Sequence, residues 1–284
     1  MTALSPKDRS PGDWMRMLEQ AGYVADESLA GMVRLAVALE RPLLLEGPAG
    51  SGKTSLADAV ARALQKPLVR LQCFEGLDAS QALYDWNYHK QMVDLARGDA
   101  QNVFTEAYLL ERPLMRALRS SGGCVLLIDE VDRADEGFEA LLLEVLADYR
   151  ITVPEWGTVT AREPPVVFLT SNRTRPLSDA LRRRSLYTYV DWPDPERECA
   201  IVRKQIPGLE DEAVRRIVRA VQMLRGWDLL KPPGVAETLD WARAFELDGR
   251  WSEAWIHRTI GCVIKEFLDI QAVTSRIPEL LDGT

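Results

Sequence analysis

Residues 43–54, LLLEGPAGSGKT, leave few folds open to this chain. An apolar run over 42–45 reads as a short buried strand. It breaks into Gly47-Pro48-Ala49-Gly50-Ser51-Gly52-Lys53-Thr54, and an Ala- and Leu-rich helical pattern begins at once. This is the phosphate-loop pattern G-x4-G-K-[ST], in the strand–loop–helix setting that gives it meaning. Glycines let successive backbone N–H groups turn inward around an anion. The following helix points the positive end of its dipole at the same anion. Lys53 is placed to reach β- and γ-phosphates as a point charge, and the Thr54 hydroxyl to ligate Mg²⁺. A chance Gly-rich turn is the plain alternative, and the flanking strand and helix argue against it.

With 284 residues, the chain has room for one large domain or two smaller ones. Its 46% hydrophobic and 27% charged residues are ordinary for a globular protein. No apolar run reaches the length of a membrane span, and the N-terminal residues lack a signal-peptide core. The expectation is a cytoplasmic protein. A net charge of −8 weighs against a nucleic-acid partner, which favours a basic face. Cys73, Cys124, Cys199 and Cys262 are far apart and form no C-x-x-C pair, so buried reduced thiols are expected. His89 and His257 stand alone, without metal-ligand spacing.

Along the chain, residues 1–12 read as frayed, and Asp13 as the cap of a short helix to about 20. Asp26 or Ser28 opens a helix to about Glu40, which presents Leu29, Met32, Val33, Ala36 and Leu39 on one face. Strands are expected near 41–46, 68–72, 124–128, 166–170 and 186–190. Helices are expected near 53–65, 137–149 and 178–184. Residues 80–104 read as a helix, a protruding insertion and a loop, and 105–119 as a helix interrupted by Pro113. Pro154-Glu155-Trp156-Gly157 signals a hairpin. After Trp192-Pro193-Asp194-Pro195 the pattern is helical, near 195–205, 211–225, 236–246 and 252–271. The reading is an α/β domain over 1–192, three-layered around a parallel sheet, followed by a helical lid domain over 193–284.

Three further signals carry chemistry. The apolar strand Leu126-Leu127-Ile128 ends in Asp129-Glu130, which places two carboxylates at a strand's carboxyl end, where parallel sheets bind ligands. Asp129 is the candidate for Mg²⁺, and Glu130 for polarising an attacking water. A solvated turn is the plainer reading of an Asp-Glu pair. Asn172 follows the next strand, where an amide can orient water against a γ-phosphate, although Asn there is most often a turn residue. Arg182-Arg183-Arg184 precede the last strand. Two of them read as a solvated basic cluster or as salt-bridge partners of acidic neighbours, with one a candidate arginine finger.

In order, GPAGSGKT, LLIDE, FLTSN, LRRRS and a helical lid resemble the AAA+ ATPases. Within them, IDEVDRAD, LLLEVLADYRITVPEWGTVTA and TSNRTRPLSDALRRRSLY look most like the MoxR branch. KPPGVAETLDWA looks like its subgroup linked to carbon monoxide dehydrogenase maturation. The resemblance covers about residues 23–271. It implies a sheet of order 5-1-4-3-2, a hexameric ring with ATP between subunits, and Mg²⁺-dependent hydrolysis. It implies remodelling of a protein client such as an immature metalloenzyme, and a partner bearing a von Willebrand factor A domain. Matched by position, Lys53 and Thr54 are the loop lysine and metal ligand, and Asp129 and Glu130 the metal and water residues. Asn172 matches sensor one, and Arg184, or Arg183 beside it, the finger. Ser55, with Tyr23 and Val24 upstream, completes the nucleotide-contact set. The hairpin around Trp156 matches the presensor hairpin, and 85–92 the helix-2 insertion facing the pore.

One departure stands out. The family's sensor-two arginine is missing from Pro233-Gly234-Val235-Ala236-Glu237, where Lys231 and Arg243 are the nearest cations. Trp86, Tyr88 and Trp156 are candidate client contacts, weighed against aromatics that pin their own hairpins. Trp227, Trp241, Trp251 and Trp255 read as lid core or subunit packing. Two other functions share the ATPase motifs: a nucleic-acid motor or loader, and a nucleotide-dependent assembly switch.

Overall fold

The computed structural model of the chain describes residues 6–98, 102–154 and 156–282. These divide into two compact units. The first takes in the chain up to Ala21, then Ala25–Gly47 and Lys53–Tyr189. The second takes in Gly22–Val24, Pro48–Gly52 and Val190 onward.

The first unit is built on a five-stranded parallel sheet of β1 (Leu43–Glu46), β2 (Leu68–Gln72), β3 (Val125–Asp129), β4 (Val166–Ser171) and β5 (Leu186–Tyr189). Their spatial order is 2-3-4-1-5, the implied 5-1-4-3-2 read from the other edge. β1 and β3 are buried along their whole length, as central strands covered on both faces must be. Register pairs Gln72 with Asp129 and Glu46 with Ser171, so the polar strand ends come level.

Helices α1 (Pro11–Gln20), α2 (Glu27–Leu39) and α3 (Lys53–Leu64) belong to the same unit. The expected frayed start is corrected from Pro6 onward, while residues 1–5 lie outside the described residues. Pro6–Asp8 form a 3-10 turn. Ser10, not Asp13, caps α1, and Asp13 closes a reciprocal capping box on it. Trp14 and Leu18 hold α1 down by burial. In α2, Leu29, Ala30, Val33, Ala36 and Val37 are buried, and Leu39 is exposed. The buried face is therefore rotated towards Ala30 and Val37.

The insertion is more ordered than its polar composition suggests. Tyr84–Trp86 pairs antiparallel with Leu109–Glu111, with α4 (Tyr88–Arg97) between them, capped by Asn87. Part of the region expected to be helical before Pro113 is thus a strand. Pro113 opens α5 (Pro113–Arg119) from its first turn, where a missing N–H costs nothing. α6 (Glu136–Asp148) leads into the expected hairpin, Arg150–Val153 against Gly157–Thr160. Asp99 and Glu155 lie outside the described residues. α7 (Asp179–Arg184) precedes β5.

In the second unit, α8 (Pro195–Gln205), α9 (Asp211–Arg225) and α10 (Val235–Asp248) are followed by α11 (Glu253–Val263) and α12 (Phe267–Thr274). The single helix expected over 252–271 is two. Asp269, buried at the start of α12, accepts the N–H groups of Leu230 and Lys231 at 3.0 and 2.9 Å, which fixes α12 on that loop. Trp241 and Trp255 are fully buried and stacked, with Trp251 and Phe245 against them. A buried ion pair ties three helices together. Arg225 donates to both Glu198 oxygens at 2.7 Å, and Thr238 donates to the same carboxylate at 2.6 Å. The Glu198 and Arg225 side chains are 0% and 5% exposed. Among the described residues no helix is long and apolar enough to cross a membrane.

Cys73, Cys124 and Cys199 are buried free thiols, and Cys262 is half-buried. Burial pushes the Cys73 thiol up to about 12 and that of Cys124 up to about 11. Reactivity requires the thiolate, so iodoacetamide should label Cys262 first in the native protein and reach Cys73 and Cys124 only after unfolding, as peptide mass mapping will show. Arg225→Met should destabilise the helical unit by about 3–5 kcal/mol, because it strands a buried carboxylate. Hydrogen exchange in α8 and α9 reads that loss directly.

Candidate nucleotide site

β1 delivers the chain into the loop at Gly47, and α3 takes it up at Lys53. Gly50 and Gly52 sit at φ +72° and +92°, where a side chain strains the backbone. The loop residues 48–52 are held by others of the second unit. Trp192 Nε1 donates to the Ala49 carbonyl at 3.2 Å, and the Val235 N–H donates to the Gly50 carbonyl at 2.9 Å. Gly50 and Gly234 pass so closely that a Cβ on either would lie under 3 Å from the other's Cα. The Tyr23 ring lies within 3.6 Å of where a Gly52 Cβ would be. The Val24 carbonyl accepts from Arg197 Nε at 3.0 Å. Pro48 is half-buried, and Ser51 Oγ is buried with no hydrogen-bond partner among the described residues.

In the first unit, Lys53 is buried and its ammonium donates to the Gly47 carbonyl at 2.9 Å. Burial lowers the Lys53 pKa, while the charges of Asp132, Asp129 and Glu130 oppose that shift. Thr54 Oγ1 donates to Asp129 at 3.0 Å. Ser55, next along α3, faces solvent. Thr170, on β4, donates its hydroxyl to Asp129 Oδ1 at 2.5 Å and accepts the Glu130 N–H at 2.8 Å. One hydroxyl therefore sets both acidic residues. Glu130 has φ +55°, a left-handed conformation unusual for a residue with a side chain. Its carboxylate accepts from Gln72 at 3.0 Å, from Arg133 at 3.1 Å and from Asn172 at 3.5 Å, the outer limit of a hydrogen bond.

Sequence reasoning missed Arg70, Gln72, Asp132 and Thr170. Gln72 ends the neighbouring strand, opposite Asp129. Asp132 is buried, and its Oδ2 accepts the Thr174 N–H and hydroxyl at 2.8 and 2.7 Å, which ties the turn after β3 to the loop after β4. Its presence in IDEVD, three residues beyond Asp129, was the available signal. Polarity at the end of β2 was the signal for Arg70 and Gln72.

Other candidates lie as follows. Arg184 donates to the Leu143 carbonyl, and Arg182 lies 3.4 Å from the buried Glu46. Arg183 is exposed, and its guanidinium has no hydrogen-bond or ion-pair partner among the described residues. Lys231 pairs with Glu266, and Arg243 with Asp240. Both cations nearest the missing sensor-two position are thus engaged within their own unit. Trp86 is 7% exposed, with its ring edge-on to Phe104, so as a client contact it is corrected to a core residue of the insertion. Trp156 is half-buried, with Arg119 over its ring at 5.6 Å. Tyr88 is exposed, in line with Met92 and Leu95 on α4.

In the first unit, a buried ammonium and a hydroxyl against a carboxylate suit a nucleotide's phosphates and a hard divalent ion with oxygen ligands. The model for the AAA domain (dynein-related subfamily) matches residues 42–185, and the chain belongs to that family. Membership implies nucleotide binding, usually with Mg²⁺. The chain is 29% identical over 216 residues to an uncharacterized protein of Staphylococcus haemolyticus, covering 74% of this chain and 78% of that one. It is 30% identical over 194 residues to an uncharacterized protein of Staphylococcus aureus, covering 66% and 69%. Among solved structures, a point mutant of RuvB from Thermotoga maritima aligns with a TM-score of 0.51 at 21% identity, over 84% of this chain and 69% of that one. That likeness concerns the fold.

Thr170→Val should cost about 1–3 kcal/mol of stability by leaving the Glu130 N–H unsatisfied and removing one of the two hydroxyls on the buried Asp129 Oδ1. Thr170→Ser should recover most of it in chemical denaturation.

Proposed function

We propose that this chain is an Mg²⁺-dependent ATPase of the MoxR type, whose hydrolysis drives remodelling of a protein client. The observation that carries the reading is the Thr54 hydroxyl 3.0 Å from Asp129, with Glu130 next in the chain. Thr54 and Asp129 would hold the Mg²⁺ of Mg·ATP, which when bound would supply charge screening of the phosphates. Lys53 binds the phosphates as a cation. Glu130 takes the proton of the attacking water, and Asn172 orients that water. Gln72 and Arg133 both contact Oε2 of Glu130, which leaves Oε1, 3.5 Å from Asn172, to act as the base.

The finer reading concerns assembly. Arg183 rather than Arg184 is the better finger, because its guanidinium is exposed and uncommitted while that of Arg184 is bound to Leu143. A finger acts on a neighbour's nucleotide, so the active form is a homo-oligomeric ring, a hexamer by family resemblance. The exposed Tyr88, Met92 and Leu95 of α4 suit contact with a protein client. That the client is an immature metalloenzyme, with a von Willebrand factor A-domain partner, rests on the resemblance to the MoxR branch, and residues 231–242 point to its carbon monoxide dehydrogenase subgroup; a cytoplasmic setting is the default for a chain with no membrane-length apolar run. The net charge of −8 disfavours the nucleic-acid alternative.

Glu130→Gln should bind ATP normally and lower phosphate release by about 10²-fold or more. Lys53→Ala should abolish binding in calorimetry. Normal turnover by Glu130→Gln removes that residue from the mechanism. Arg183→Ala should preserve nucleotide binding and lower turnover, and mixing it with Glu130→Gln subunits should restore part of the rate. The same behaviour from Arg184→Ala instead reverses the finger assignment.

A further inference from the structure

Arg70 lies on β2 two residues before Gln72, so the two side chains share a face of the strand. Arg70 Nη2 donates to Asp129 Oδ2 at 2.5 Å and to Gln72 Oε1 at 2.8 Å. Gln72 Nε2 donates in turn to Glu130 Oε2 at 3.0 Å. A continuous chain of contacts therefore runs from the first carboxylate to the second, through two side chains of one strand.

The ion pair is lopsided. The Asp129 side chain is 5% exposed and that of Arg70 is 52% exposed. A buried carboxylate needs a counter-charge, and the two hydroxyls beside it, those of Thr54 and Thr170, are neutral. Arg70 supplies the charge in direct contact, and it does so from the solvent side, where a long flexible stem can withdraw into water. Oδ1 of Asp129 already accepts from Thr54 and Thr170. Oδ2 lies 3.3 Å from the same Thr54 hydroxyl and carries the guanidinium, so a cation held by Thr54 and Oδ2 meets Arg70. A divalent ion brought to the same edge meets a fixed positive charge at contact distance, and that repulsion is strong where water is partly excluded.

We propose that Arg70 competes with Mg²⁺ for Asp129, so that the metal enters only as the guanidinium leaves. Its departure also breaks the contact with Gln72, and with it the strand-end support that holds Gln72 on Glu130. Metal entry and the placement of Glu130, which keeps its contact with Arg133, thereby become linked. Arg70 acts here as a positioning residue that sets the magnesium threshold of the site. The proposal rests on the reading of Asp129 as the magnesium carboxylate.

The test uses the full chain and a nonhydrolysable ATP analogue, titrated by calorimetry across magnesium concentrations, with Mn²⁺ bound alongside the analogue followed by electron paramagnetic resonance. Arg70→Met keeps the stem and removes the charge. It should lower the half-saturating Mg²⁺ concentration, and tighten Mn²⁺, by about tenfold or more. Arg70→Lys, which keeps a cation without the planar fork, should move both less. Arg70→Gln repeats the charge removal with a different side chain, should Arg70→Met fail to fold. An unchanged or raised magnesium midpoint in the charge-removing variants overturns the competition, while the Mg·ATP reading survives if the wild type still needs metal to bind the analogue. Binding by the wild type that is indifferent to Mg²⁺, or absent altogether, overturns the role of Asp129 and the competition with it.

Discussion

Gln72 lies opposite Asp129, and Glu46 opposite Ser171, because β2, β3, β4 and β1 run parallel and in register. Everything chemical in the first unit depends on that alignment. Backbone hydrogen bonds fix the rise along each strand, so side chains from remote parts of the sequence arrive level at one edge of the sheet. Thr170 then joins two of those strands with a single hydroxyl, accepting the Glu130 N–H and donating to Asp129. The left-handed backbone at Glu130 is held in that frame. Strain of this kind, of order 1–3 kcal/mol, persists only where the surroundings over-determine it.

The motifs with local spacing were legible from the residues alone. The loop ending in Lys53-Thr54, the Asp129-Glu130 pair and the strands that carry them rest on short-range patterns, and the sheet order followed from the resemblance those motifs support. The members that belong to the site only through strand pairing were not legible. Arg70 and Gln72 are separated from Asp129 by more than fifty residues, and the polarity at the end of β2 does not say which residues they meet. The insertion misled for the opposite reason. Its polar residues hid a two-stranded ribbon whose apolar partners, Trp86 and Leu109, are far apart in sequence. Asp269 split an apparently continuous helix because a buried carboxylate was needed by amides almost forty residues away.

The second unit solves a different problem with the same economy. Glu198, Arg225 and Thr238 join three helices through one buried carboxylate. Arg225 also donates to the Pro233 carbonyl at 2.7 Å and lies over the Trp192 ring at 5.5 Å. The residues that meet the loop carbonyls, Trp192 and Val235, are thus both anchored to the same ion pair. This bears on the missing sensor-two arginine. At that place the chain presents backbone and an indole instead of a cation, and the two nearest cations are engaged elsewhere.

The close passage of Gly50 and Gly234 leaves nothing compressible between two stretches of main chain. Side chains cushion most contacts in a protein by changing rotamer, but two bare backbones have no such give. Any rise of the loop at Gly50 is therefore handed undamped to the first turn of α10, as between two links of a rigid crank. A cation added by mutation at position 234 would wedge the two apart, so charge can be introduced there only from further along the helix.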